Sequence, residues 1–268
     1  MLLRSVDDVE LKAISDEVRS EGVSVIHGLL DSDFITSLSS SLTSQWTSYK
    51  LLVDDDRRSS AGEKGIIRAL PALDRVFLQF ASAPEILKIV DSLVSPTAIL
   101  HLGNGFVLLP SEYADDSNLK LFQSTWHRDF PRNVSSKLLS LNIFVPLTWT
   151  SPNHGATEFL VGSHASDRNI EEHLASCPLG TFETVQGDVV VFDSTIWHRA
   201  GPRDPEQIRL AMNFQFAHHW IKLQINHARL MGYHAASLLS EPERRVLGFN
   251  ARVPANFSEF YRPSPERL

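Results

Sequence analysis

The chain has 268 residues and is 43% hydrophobic, enough to bury a sizeable core, and all-β folds of this length commonly stay one domain. Its 32 acidic against 25 basic residues leave a formal charge of −7, which argues against nucleic acid or an anionic membrane surface as the main partner. A lone cysteine, Cys177, forbids an intrachain disulfide, the start turns acidic at Asp7-Asp8 before a signal core can form, and no apolar run approaches a membrane span, so a cytoplasmic location is expected.

In chain order, residues 7–20 space Val9, Leu11, Ile14 and Val18 among charges as an amphipathic helix, and Gly22 stops it. Val23 to Ile26 reads as a short strand. Leu30-Asp31-Ser32-Asp33-Phe34 then offers an N-cap to a helix running through Leu38 and Leu42. The polar stretch 47–65, with Asp54-Asp55-Asp56-Arg57-Arg58, reads as a solvated loop, with a mobile lid over a site as the alternative. Pro84 to Leu93 is expected to be helical. From Thr97 the texture changes to short β-rich runs at 98–109, 138–147, 157–161, 180–185, 189–192 and 208–216. After Ala217 the pattern returns to helix, with 235–246 amphipathic and a Pro-rich tail beyond. The expected fold class is therefore mainly β with flanking helices, a sandwich or barrel. One domain is expected, with a helical part over about 1–95, a β core over about 97–217 and a helical tail over 218–268.

The segment that carries chemistry is Trp126-His127-Arg128-Asp129-Phe130. On a strand, residues i and i+2 leave the same face, so His127 and Asp129 can reach one point. An imidazole and a carboxylate are two-thirds of the 2-His-1-carboxylate set that holds non-haem iron(II). A third ligand is available in His198, at the far end of the apolar run that Gly187-Asp188 launches; a hydrogen-bonded core histidine is the other reading. Eleven residues later comes Arg209, on a segment whose alternation puts Arg209, Ala211, Asn213 and Gln215 on one face and Leu210, Met212, Phe214 and Phe216 on the other. An inward guanidinium needs an anion, either the distal carboxylate of 2-oxoglutarate or a protein carboxylate.

Taken in order, these motifs resemble the phytanoyl-CoA dioxygenase family of iron(II)/2-oxoglutarate oxygenases. The resemblance also covers residues 22–34, the Asn153-His-Gly155-Ala-Thr157…Gly162-Ser163-His164 run and the segment 239–248. It implies a double-stranded β-helix (jelly-roll, cupin-like) core, with His127, Asp129 and His198 as iron ligands and catalytic residues. It further implies Arg209, Thr157 and Gln123 as 2-oxoglutarate contacts, with molecular oxygen as the other co-substrate and succinate and carbon dioxide as by-products. His164 is expected to be structural. The Asp129 carboxylate, which halogenating relatives lack, argues against halogenation.

A small-molecule metabolite or natural product is the expected substrate, most simply hydroxylated, with desaturation, epoxidation or ring closure also open. Trp126, Phe130, Arg132, Asn142 and Phe144 are the candidate pocket walls, together with the 47–69 and 111–120 segments. No nucleic acid or membrane partner is expected, and the sequence does not read out an oligomeric state. Two other readings remain: a catalytically inert or metal-binding jelly roll that holds a small ligand, and a cupin-type metal isomerase or hydrolase.

Overall fold

The computed structural model describes residues 2–110, 122–130, 137–202 and 206–262. Arg132 and the whole of the 111–120 segment lie outside these residues. Its largest sheet has six antiparallel strands: β1 (Val23–Ile26), β2 (Ile66–Arg68), β3 (Ile99–Leu108), β4 (Ser140–Pro146), β7 (Val189–Asp193) and β9 (Arg209–Ala217), in the order β1-β7-β4-β9-β3-β2. A smaller sheet runs in the order β6-β5-β8, from β5 (Thr157–Leu160), β6 (Leu179–Thr181) and β8 (His198–Ala200). Strands far apart in sequence thus become neighbours, and the double-stranded β-helix reading holds.

The period-two alternation of β9 divides the interior in two. Leu210, Met212, Phe214 and Phe216 join Leu141, Ile143, Val145, Val189 and Val191 on the outer face of the large sheet. That face is covered by α1 (Asp8–Ser20), α2 (Ser32–Leu52), α5 (Arg75–Ala81) and α6 (Pro84–Leu93), through Ile14, Val18, Phe34, Leu38, Leu42, Phe77, Phe80, Ile86 and Val90. Phe80 of α5 meets Phe214 with ring centroids 5.0 Å apart. Gly105 faces this layer on β3, and any Cβ there would run into Leu42, so the glycine lets α2 lie close on the sheet. The second core lies between the two sheets, where Phe159 of β5 packs with Val23, Val190, Phe192 and Ile196.

Helix α1 is capped by Asp7, which accepts from Val9 and Glu10 N–H, and Gly22 follows its end in a left-handed conformation at φ +89°. The structure corrects the sequence reading at 47–65. Helix α2 runs on to Leu52 because Trp46 continues the buried stripe of Phe34, Leu38 and Leu42. A further helix, α3 (Asp55–Ser60), follows, capped by Asp54. Its Arg58 is buried, paired with Asp55 and stacked 4.8 Å over Trp46, so this charged run is anchored and not a solvated loop. The expected helix at 235–246 is split. A 3-10 turn at Tyr233–Leu238 ends before α9 (Glu241–Val246), which Ser240 and Glu243 start as a capping box with Pro in the first turn.

Candidate metal centre

Two segments about seventy residues apart meet at a single point. Strand β7 ends at Asp193, whose carboxylate accepts from the N–H and the hydroxyl of Thr195, both at 2.7 Å, and this turn delivers the chain to β8. At its first residue, His198 and His127 form an isolated antiparallel bridge. Each backbone N–H donates to the other's carbonyl at 3.0 Å, and the two rings lie 4.3 Å apart. The strand expected around 127–129 is therefore narrowed to one bridge, after which the chain bends and Asp129 turns back toward both rings.

Each ring is fixed by a backbone carbonyl. His127 Nδ1 lies 2.8 Å from Thr125 O, and His198 Nδ1 lies 3.0 Å from Ile196 O. A carbonyl only accepts, so both Nδ1 atoms carry the proton and both Nε2 atoms present a lone pair. Those two Nε2 atoms are each 3.9 Å from an oxygen of Asp129, too far for a hydrogen bond. The donor atoms of all three residues lie within 4.8 Å of one another. Burial pushes the His198 imidazole down to about 4, against the opposing pull of Asp129 and with a smaller push from His127. The ring is thus neutral at physiological pH, as a ligand must be. Two imidazoles with Nδ1 tied back to a carbonyl and Nε2 turned inward, together with a carboxylate, are the donor set of a facial iron(II) site, and the residues fit that group.

The reverse face of this bridge carries a device that the sequence reading missed. Both histidines sit in the tripeptide Trp-His-Arg, at 126–128 and at 197–199. Antiparallel pairing of the two copies sets Arg128 over the Trp197 ring at 4.8 Å and Arg199 over the Trp126 ring at 4.5 Å. Arg128 also donates to Asp167 Oδ1 (3.0 Å), Ser166 O (2.8 Å) and His173 Nε2 (3.2 Å), while Arg199 donates to Glu158 at 2.6 Å. The repeated tripeptide was the available signal. This corrects the expectation for Trp126: its ring lies against Arg199, on the side away from His198, because neighbours on a strand leave opposite faces.

The other expected residues divide. Arg209 opens β9, is buried, and alternates with the residues of the helix-side core, so it faces the space between the sheets. Thr157 shares its face of β5 with Phe159, whose ring stacks on that of His198 at 6.0 Å, so it looks into the same space. Gln123 lies half-buried in a 3-10 turn beside β8. Phe130 donates its N–H to Ser194 O at 2.9 Å, and Phe144 packs against the inter-sheet core.

Asn142 is corrected. Its side chain is fully buried, donating to Ser194 Oγ and accepting from Asn213, so it braces β4 against β9 and presents no surface to a substrate. The polarity of its network is dictated by a backbone acceptor. Ser140 donates to Phe216 O and Ser194 donates to Ser140, both at 2.9 Å. Asn142 and Gln215 must then donate to Ser194, and Asn213 to Asn142. His164 is buried with its Nε2 3.1 Å from Arg19 O, which ties the Gly-Ser-His segment to α1 and suits a structural role.

Comparison with known proteins agrees with this geometry. The sequence profile of the phytanoyl-CoA dioxygenase (PhyH) family matches residues 18–211. Uncharacterized protein Rv1501 of Mycobacterium tuberculosis is 33% identical over 264 residues, covering 98% of this chain and 95% of its own, and Mb1539 of Mycobacterium bovis matches to the same extent. Among solved structures, EvdMO1 superposes with a TM-score of 0.62 at 21% identity, over 77% of this chain and 50% of that one. EctD from S. alaskensis, solved with 2-oxoglutarate and 5-hydroxyectoine, gives 0.62 at 14% identity over 82% and 78%. The non-haem α-ketoglutarate-dependent carbocyclase SnoK from nogalamycin biosynthesis gives 0.60 at 15% over 85% and 90%. At these identities the superpositions establish the fold. No helix among the described residues is long and apolar enough to cross a membrane. The chain belongs to the phytanoyl-CoA dioxygenase family, and with it to the general class of non-haem iron and 2-oxoglutarate oxygenases.

Proposed function

We propose that this protein oxidises a small organic molecule, with His127, Asp129 and His198 as the iron ligands and Arg209 and Thr157 as anchors for the far carboxylate of 2-oxoglutarate. The observation that carries the reading is the convergence of the three donor atoms within 4.8 Å of one another. Iron(II) with 2-oxoglutarate supplies the activation of oxygen when bound, with succinate and carbon dioxide as by-products. The chain's own part is to hold, orient and exclude.

The Thr125 and Ile196 carbonyls hold the Nδ1 protons, so both Nε2 lone pairs stay directed at the ion. Phe159 and Phe192 close on the His198 ring from 6.0 and 5.0 Å and keep water off that side. Arg209 offers a planar fork to a carboxylate, and Thr157 adds a hydroxyl on the facing sheet. Gln123 remains a candidate contact from the 3-10 turn beside β8. Phe130 and Phe144 are the substrate-side walls that this reading retains, with Arg132 as a further candidate. Turnover of C–H bonds to hydroxyl is the simplest outcome; desaturation, epoxidation or ring closure differ only in where the substrate is held.

The test is succinate formation by the purified protein given iron(II), 2-oxoglutarate and oxygen. Formation that depends on all three and is lost in Asp129→Ala supports the reading. Formation unchanged in Asp129→Ala, or none in the native protein across a broad substrate panel, overturns it.

A further inference from the structure

His101 interrupts the regular pairing of β3. Leu100 lies opposite Phe216 and Leu102 opposite Gln215, so His101 is the extra residue of a β-bulge. A bulge re-aims a side chain, and bulges recur beside active sites. The imidazole is buried at 7% exposure and lies 5.5 Å from the ring of Phe130, the residue that follows Asp129. Its Nδ1 has no hydrogen-bond partner among the described residues. Nearby, His227, the first residue of α8 (His227–Met231), is fully buried, and neither of its ring nitrogens has a partner among the described residues. The two rings are close enough for the charge of one to act on the other. Three buried imidazole nitrogens without partners call for a group that arrives to meet them.

Their position says which molecule that is. Phe192, packed on the His198 ring, lies opposite Asn142, which lies opposite Gln215, which in turn lies opposite Leu102. The metal ligands are therefore level with Leu102. Arg209 pairs with Leu108 at the other end of β3. A co-substrate held by Arg209 reaches the ligands from that end, and His101 stands at the end left open for the substrate.

We propose that His101, backed by His227, recognises the substrate through an uncharged hydroxyl or carboxamide group; this rests on the oxygenase reading above. The unpartnered Nδ1 of a neutral imidazole can donate or accept but brings no charge to offset a buried anion, so an uncharged hydroxyl or carboxamide suits it and a carboxylate is left uncompensated. Burial lowers the proton affinity of His101, with Asp129 opposing, and lowers that of His227 to about 4. The Asp129 carboxylate close by adds repulsion against an anion.

The experiment uses the full chain loaded with Ni(II) and 2-oxoglutarate and three matched probes: benzyl alcohol, benzamide and benzoate. Saturation-transfer NMR should detect the alcohol and the amide, with benzoate weaker. His101→Phe should weaken both by about fivefold or more, and His101→Gln, which keeps a donor and an acceptor, should bind within about twofold of native. Melting and Ni(II) uptake of the Phe variant establish that it is folded. Benzoate binding as well as the others, no binding by the alcohol and amide, or equal binding by His101→Phe overturns the assignment. A native protein that takes up no Co(II) at His127, Asp129 and His198 fails as an oxygenase; one that takes up Co(II) but shows any of those probe results fails only at His101.

Discussion

His127 and His198 are joined backbone to backbone, each donating its N–H to the other's carbonyl at 3.0 Å. The consequence is that the separation of the two imidazole ligands is set by main-chain hydrogen bonds and not by loop conformation. Pairing in this register also forces the neighbours into contact, Arg128 with Trp197 and Arg199 with Trp126, so the two Trp-His-Arg copies clamp each other from behind.

Replacing His127, Asp129 or His198 by Ala should weaken Co(II) binding by more than about 100-fold, since loss of a mere supporting partner already costs 10–100-fold. The melting temperature of the metal-free protein should change little for His127 and Asp129, which are only partly buried. Absorption titration with Co(II) measures the first effect and thermal melting the second. Native-like Co(II) affinity in any one variant removes that residue from the ligand set.

Arg128→Met should lower metal affinity by roughly 10-fold while the fold survives, because Arg128 ties the ligand segment to Asp167, Ser166 and Trp197. Arg128→Lys should not rescue it, as an ammonium lacks the fork that reaches several acceptors at once. Arg199→Met should do less, since that side chain is 38% exposed against 4% for Arg128. The Co(II) absorption spectrum reports the change in ligand geometry that a simple loss of stability does not produce.

Arg209→Ala should raise the 2-oxoglutarate requirement by about 30-fold or more, the scale of truncating one partner of a buried, hydrogen-bonded charge pair. Initial rates of succinate formation against 2-oxoglutarate concentration measure it. An unchanged requirement moves the anion site elsewhere.

His198 and His227 each have a folded-state affinity for protons depressed to about 4, in both cases chiefly by burial. The unfolded chain then binds more protons than the folded one between about pH 6.5 and 4, so stability is full above 6.5 and falls as pH drops through that window. The loss is of order 3 kcal/mol per histidine. Urea unfolding of the metal-free protein at pH 7.5 and 4.5 should show it. His227→Phe should remove its own share of this dependence, about 3 kcal/mol; His101 is the other titratable group acting on that ring. A profile that His227→Phe leaves unchanged contradicts this account.

Phe214→Ala should cost about 3–5 kcal/mol, measured by urea unfolding, because it empties the contact between β9 and Phe80 of α5.

How much of this was legible in the sequence follows from range. Period-two alternation at 209–216 separated the residues now found in the helix-side core from Arg209, Asn213 and Gln215. His127, Asp129 and His198 were legible as residue types at suggestive spacings, as was an N-cap within residues 30–34, because these depend on residue type and on neighbours within a few positions. The 47–65 run was misjudged because Trp46 buries Arg58, a contact its charged composition does not announce. Trp126 was misplaced because which face of a strand meets the site depends on the partner strand, and Asn142 because the groups that engage its buried amide, Ser194 and Asn213, lie 52 and 71 residues away in sequence. The bulge at His101 and the pairing of the two Trp-His-Arg copies arise only when distant segments are brought into register. The sequence by itself determined the kinds of ligand and the alternation of the strands; the tertiary structure decided their register, and register sets where each side chain points.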